Sequence, residues 1–248
     1  MMISNITYRL IAFADYSNIR FNNDTAASFS TEFSENNYRF GQIFDPMPAG
    51  QLVPGFMLMP NGNGECPIIS IFPGKVDIRV GSTKKEGFSS GEQRRFCSVL
   101  CEYLDRIYGT FEGKLQDPNR LALITEYVYF EIDREKKALF RDKFIHAPSY
   151  YDGKLTDELF VRIFGKEKRI INDIEEDINC VTTIDRWLPG GGIGPTASVD
   201  GYRVELDLNT ASDNKRNRFS RDSIIEFVDQ MQGIKEELFK EIFDGCSF

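Results

Sequence analysis

The sequence predicts an α+β fold with internally duplicated β-ββ-α halves. Antiparallel strands form one or two sheets, two long helices pack on a face, and the halves are related by a pseudo-twofold. Three observations carry this. Phe88-Ser89 and Phe219-Ser220 open two helical patterns that superpose without a gap, pairing Phe96 with Phe227, Leu100 with Met231, Tyr103 with Ile234, Ile107 with Leu238 and Tyr108 with Phe239. Upstream, Val76-Asp77-Ile78-Arg79-Val80 mirrors Val204-Glu205-Leu206-Asp207-Leu208, each with one apolar face. The order within each half lacks the βαβ alternation of a doubly wound parallel sheet. The halves, 1–116 and 117–248, make one compact pseudo-symmetric domain.

The elements follow in order. Ile6 to Ala14 reads as a strand. Phe29 and Phe33 share a helical face, with Phe40 and Phe44 beyond them. Pro46 to Glu65, rich in Pro and Gly, reads as a loop with a short strand at Gly55 to Met59. Pro67 to Phe72 and Lys75 to Val80 flank a Pro73-Gly74 hairpin turn. Ser89 and Glu92 form a capping box, and Phe96, Val99, Leu100, Tyr103, Leu104 and Ile107 form an apolar stripe that Gly109 ends. The polar run Glu112 to Asn119 is the boundary between halves.

Leu121 to Ile132 is apolar on both faces and predicts a central strand. Phe140 and Phe144 repeat the four-residue spacing of Phe29 and Phe33. Thr156 to Glu176 reads as largely helical, with Glu167 to Asp177 on an exposed face. Asn179 to Trp187 and Tyr202 to Asn209 are strands. Phe219 and Ile224 staple the start of a helix from Ser220 to Phe243, whose stripe is Ile224, Phe227, Val228, Met231, Ile234, Leu238 and Ile242.

Composition narrows the function classes. With 41% hydrophobic and 13% aromatic residues the 248-residue chain has ample core material, including 21 Phe. A net charge of −8 argues against non-specific nucleic-acid binding, which depends on neutralising phosphates. No run approaches the ~20 apolar residues of a membrane span, and Met1 to Asn5 lacks a signal-peptide pattern. Five irregularly spaced cysteines fit a reduced, cytoplasmic protein. Cys97 and Cys101 lie one turn apart and read as buried helix residues rather than metal ligands.

Departures between the halves locate candidate sites. The second hairpin turns through Leu188 to Ser198, with Gly190, Gly191, Gly192 and Gly194, beside Arg186 and the single Trp187. Such length exceeds the usual 2–5 residues of a hairpin loop and marks a candidate partner-binding loop; it lacks the lysine of a P-loop and the following helix of a dinucleotide fingerprint. Lys84 and Lys85 in one half, and Lys215, Arg216 and Arg218 in the other, precede helix N-termini and are candidate anion binders. Glu205 and Asp207 share a strand face with Asp185 across the hairpin, a carboxylate set suited to a divalent metal or to acid–base work, although alternation alone puts such groups on a solvated face. His146 is the single histidine and no nucleophile motif accompanies it.

The segment Asp200-Gly201-Tyr202-Arg203-Val204-Glu205-Leu206-Asp207-Leu208-Asn209, leading into Ile224 to Phe243, resembles the end of a sporadically distributed family of uncharacterised bacterial proteins. In that family an L-D-ϕ-D-like strand precedes a long C-terminal helix, and members are often met near mobile or antiviral defence genes. The resemblance covers under a third of the chain and implies no activity and no catalytic residues.

The expected function is a non-catalytic partner-binding or accessory subunit, possible in a bacterial defence or toxin–antitoxin-like system, with a protein partner and no cofactor. The alternative is a nucleotide- or phosphate-binding protein or a metal-dependent phosphoryl-transfer enzyme. A homo-oligomer is a third reading.

Overall fold

The computed structural model describes residues 2–20, 22–46, 52–61, 66–82, 90–113, 115–130, 138, 141–144, 160–187 and 201–243. Nine strands form one antiparallel sheet: β1 (Met2–Phe13), β2 (Arg39–Pro46), β3 (Leu52–Met59), β4 (Ile68–Phe72), β5 (Lys75–Ser82), β6 (Arg120–Phe130), β7 (Phe160–Ile171), β8 (Ile174–Trp187) and β9 (Gly201–Thr210). Their order is β2-β3-β4-β5-β1-β6-β9-β8-β7. The main helices are α1 (Asn23–Glu32), α2 (Ser90–Thr110) and α3 (Arg221–Phe243).

The chain lays down each side of the sheet along the same path. It places a central strand (β1, then β6), moves to an outer edge (β2, then β7), meanders inward, and crosses one face as a helix (α2, then α3). The central pair runs in register from Leu10↔Leu123 to Phe13↔Arg120, so the sheet is continuous across the boundary at residue 116.

Strand alternation gives the sheet two unlike faces. Tyr8, Leu10 and Ala12 of β1, Val76, Ile78 and Val80 of β5, Leu123 and Tyr127 of β6, and Val204, Leu206 and Leu208 of β9 point under the helices and are buried. The stripes of α2 and α3 supply the cover: Phe96, Leu100, Leu104 and Ile107 from one, Phe227, Val228 and Met231 from the other. The long helices owe their stability to this apolar contact more than to propensity.

Asn22 caps α1, accepting a 2.8 Å hydrogen bond from the Thr25 amide. As the spacing predicts, Phe29 and Phe33 lie buried on one face of that helix, their rings stacked 6.0 Å apart. Phe33 also stacks on Tyr103 at 5.3 Å, and Arg106 covers Phe33 while pairing with Glu32 at 2.8 Å and Glu35 at 2.6 Å. Through that aromatic joint α1 packs on α2 and extends the core over the first half.

The Pro73-Gly74 hairpin, the central strand β6, and the strands and helix of the C-terminal third lie where the sequence placed them. Three expectations need correction. The loop expected over Pro46 to Glu65 does hold the short strand expected at Gly55 to Met59, but that strand starts earlier, at Leu52, and β2 precedes it. Pro54 and Gly55 sit within the strand, and Gly55 is required there, because a Cβ would overlap the Phe72 ring and the Ile71 carbonyl. Gly109 does not end α2, which continues to Thr110; the left-handed residue is Gly113, at φ 72°.

The third correction is the largest. Most of the helix expected over Thr156 to Glu176 is instead the hairpin β7–β8, and the charged run Glu167 to Asp177 spans its turn. Asn172 and Asp173 take positive φ values of 49° and 64°, as a two-residue hairpin turn demands of both central positions, and Asn and Asp tolerate that conformation best after Gly. The capping residue Ser89 and the residues Phe88, Phe140 and His146 lie outside the described residues.

Candidate functional site

The face of the sheet opposite the helices, and the edge where it ends at β7, carry the polar and exposed apolar chemistry. From the edge inward, β7 presents Phe160, Arg162, Phe164, Lys166, Lys168 and Ile170. Their register partners on β8 are Asp185, Thr183, Val181, Asn179, Asp177 and Glu175. On β9 the row continues with Arg203 beside Asp185, Glu205 beside Thr183 and Asp207 beside Val181. Glu126 of β6 lies directly across from Glu205, and Thr7 of β1 across from Glu126.

Ion pairs organise the middle of this face. Arg203 grips Asp185 with two bonds of 3.0 and 2.5 Å and reaches Glu126 at 3.4 Å. Arg9 grips Asp77 at 3.3 and 2.5 Å. Between them lies a depression of about 100 Å³ lined by Thr7, Arg9, Arg79, Ile124, Glu126 and Glu205. Burial pushes the Glu205 carboxyl above its ordinary range; Glu126 and Asp207 push the same way, and Arg203 and Arg9 oppose them.

The sequence correctly placed Glu205, Asp207 and Asp185 on one face, but the structure does not assemble them into a metal centre. Asp185 is committed to Arg203, and Asp207 accepts a 2.9 Å bond from Asn209. Among the described residues no group of three or more His, Cys, Asp or Glu side chains is gathered as a metal would require.

The basic candidates divide. Lys215 and Arg216 are exposed. Arg218 is corrected outright: its guanidinium holds Glu176 at 2.5 and 2.8 Å and donates to the carbonyls of Asn119, Asn214 and Arg216, with side-chain exposure of only 8% against 5% for Glu176. It joins β8, the entry to β6 and the loop before α3, and is not available to an anion. Lys84, Lys85, Gly190, Gly191, Gly192 and Gly194 lie outside the described residues; Arg186 and Trp187 end β8.

Sequence reasoning missed the β7 edge. Phe160 (71% exposed), Phe164 (59%) and Ile170 (62%) stand on the open face, with Ile163 exposed on the other. The strand runs 12 residues and carries Arg162, Lys166, Lys168 and Arg169 against one acid, Glu167, a net +3 on a chain of net −8. Lys168 is paired with Glu175 at 2.5 Å and Arg169 with Glu167 at 2.7 Å. Among the described residues Arg162 and Lys166 hold no carboxylate. The alternation Phe160, Arg162, Phe164, Lys166 was the available signal.

Two further features lie under and between the helices. Lys235 of α3 is 1% exposed and is ringed by three oxygens: the Tyr8 hydroxyl, Gln93 Oε1 at 2.8 Å and Gln232 Oε1 at 2.7 Å. Its ammonium also lies 4.5 Å from the Tyr8 ring. Burial pulls this amine down to about 7. Beside it, Cys97 contacts Gln232 Oε1 at 3.4 Å and forms part of the floor of a cavity of about 380 Å³ between α2 and α3.

No helix among the described residues is long and apolar enough to cross a membrane. A scan against protein-family models and a search of curated proteins return no match to this chain.

Proposed function

We propose that the protein is a non-catalytic partner-binding subunit that receives an extended, acidic segment of another protein as a tenth strand along β7. The carrying observation is the edge itself. Among the described residues no strand pairs with the outer side of β7, where only the Ile170 carbonyl is taken, by Gln230 Nε2 at 2.6 Å; such an edge offers backbone groups to an incoming strand, and natural proteins protect such edges unless they are used. Phe160, Phe164 and Ile170 provide apolar contact to alternate side chains of the incoming strand, and Arg162 and Lys166 select acidic residues between them. Pairing with a second copy is disfavoured, because β7 against itself sets like charges together.

The resemblance of the C-terminal third supports placing this subunit in a bacterial defence or toxin–antitoxin-like system. The common path of the two sides of the sheet supports reading them as copies of one unit related by a pseudo-twofold. Phosphate binding has less support, because Arg218 is committed to Glu176 and Asp213 shares the loop of Lys215 and Arg216.

The test is fluorescence anisotropy with two labelled peptides in which every second residue is serine, so that the residues of the other face alternate valine with glutamate in one peptide and valine with lysine in the other. The acidic peptide binds; Phe164→Ser weakens it about tenfold, and Arg162→Glu with Lys166→Glu reverses the preference. Equal binding of both peptides, or binding indifferent to these substitutions, overturns the proposal. So does a dimer in sizing experiments that Phe164→Ser dissolves.

A further inference from the structure

The cavity between α2 and α3 is independent of the β7 edge and has a chemistry of its own. Its floor is apolar: Leu104, Phe219, Ile224 and Val228 are all buried, and Cys97 and Cys101 contribute neutral thiols. Burial pushes those thiols up to about 11 and about 12, so they are poor nucleophiles at neutral pH. Its walls bear four carboxylates, Glu102, Asp105, Asp117 and Asp229, against the single guanidinium of Arg221, which lies 2.7 Å from Asp105. The lining therefore sums to −3, over an apolar base that includes two aromatic rings, Tyr108 and Phe219.

We infer that this cavity binds a small organic ammonium: a compact apolar or aromatic body seated on the floor, with its cationic nitrogen held at the acidic wall. A volume of about 380 Å³ falls in the size range of small-molecule sites. The wall repels phosphates and carboxylates, and it offers a cation charge-assisted hydrogen bonds that an uncharged isostere cannot make. The Tyr108 ring can add attraction for the cation; the Phe219 ring already carries the Arg218 guanidinium at 4.5 Å and serves the apolar body. The buried Lys235 does not line the cavity; it lies beyond Cys97 and Gln232, facing the three oxygens that surround it. No three of the wall carboxylates are gathered as a metal ion would require, which selects against metal ions there.

Three probes of matched shape test the assignment by calorimetry and thermal shift: 2-phenylethylamine, 2-phenylethanol and 3-phenylpropanoate. The amine binds and raises the melting temperature; the alcohol binds about tenfold more weakly, and the carboxylate does not bind. Glu102→Gln with Asp229→Asn, both at exposed positions, weakens the amine about tenfold while leaving the alcohol unchanged. Arg221→Ala, which removes the one competing cation, strengthens the amine severalfold. Ser98→Trp, at an exposed lining position, blocks all binding without changing the fold. Equal affinity for amine and alcohol, insensitivity to the charge variants, or no binding of the amine at millimolar concentration overturns the inference.

Discussion

On the covered face of the sheet Lys235 stands among three neutral oxygens, and Arg218 meets Glu176 almost wholly out of solvent. On the open face Arg203, Asp185 and Glu126 pair where water still reaches them. Both faces hold charged groups, yet the same Coulomb attraction acts against different backgrounds. Buried charges lose their hydration and depend on a few fixed partners, whereas part-exposed ones can exchange a lost partner for solvent. Burial, rather than the number of ion pairs, should therefore decide what each substitution costs.

The largest expected effect tests that rule directly. Arg218→Ala leaves the Glu176 carboxylate buried without its cation and frees the carbonyls of Asn119, Asn214 and Arg216, so it should cost about 3–5 kcal/mol in urea denaturation. Arg203→Ala on the open face, which also breaks a two-bond pair, should cost about 1 kcal/mol or less. Replacing both members of the buried pair, Arg218→Met with Glu176→Leu, should cost less than Arg218→Ala alone, since no charge is then stranded. Equal losses at Arg218 and Arg203 would break the comparison.

Arg218 also shows why some of the site was illegible in the sequence. Its role depends on Glu176, and Glu176 belongs to β8 only because the charged stretch before it forms a hairpin rather than a helix. Charge runs are compatible with either solvated surface, so the decisive signals were the period-two placement of Phe160, Arg162, Phe164 and Lys166 and the Asn172-Asp173 turn. The long helices were legible because caps and a period of 3.6 agree over many residues. The shared face of Glu205 and Asp207 followed from alternation alone. Strands β2 and β3 were obscured by Pro46, Pro54, Gly41 and Gly55, residues that ordinarily mark loops. Lys235 carried a faint signal: it lies four residues after Met231, within the apolar stripe of α3.

That buried lysine gives the next effect. An amine whose folded value is pulled below its unfolded one binds its proton less readily in the fold. Its destabilisation is therefore present near neutral pH and is relieved as pH rises from about 7 toward the unfolded value near 10.4. The groups facing it do not titrate early in that window: burial pushes the Tyr8 and Tyr127 hydroxyls upward and the Cys97 thiol to about 11. Stability should rise between pH 7 and pH 9 by up to about 1.4 kcal/mol per unit. In Lys235→Met the rise should vanish, although Gln93 and Gln232 lose a donor and the variant starts from lower stability at pH 9. Urea titrations of both proteins at pH 7, 8 and 9 measure this. An unchanged slope in the variant would remove Lys235 as its source.

The smallest effect lies on the open face and runs with the opposite sign. Glu205 is held above its ordinary carboxyl value chiefly by burial, with Glu126 across the strand pair adding to the shift. A carboxyl raised in the fold keeps its proton longer there than in the unfolded chain. Its contribution is thus fully present below the unfolded value and is lost as pH rises through the folded one. Glu205→Gln, which keeps the shape and discards the charge, should match the native protein at pH 4 and exceed it at pH 7 by no more than about 0.5 kcal/mol, since Arg203 and Arg9 lose an attractive neighbour at the same time. Urea midpoints at the two pH values supply the comparison. A glutamine variant less stable than the native protein at pH 7 would show that the two guanidiniums outweigh burial at Glu205. The open face would then be held together by its charges, and its difference from the covered face would be one of degree.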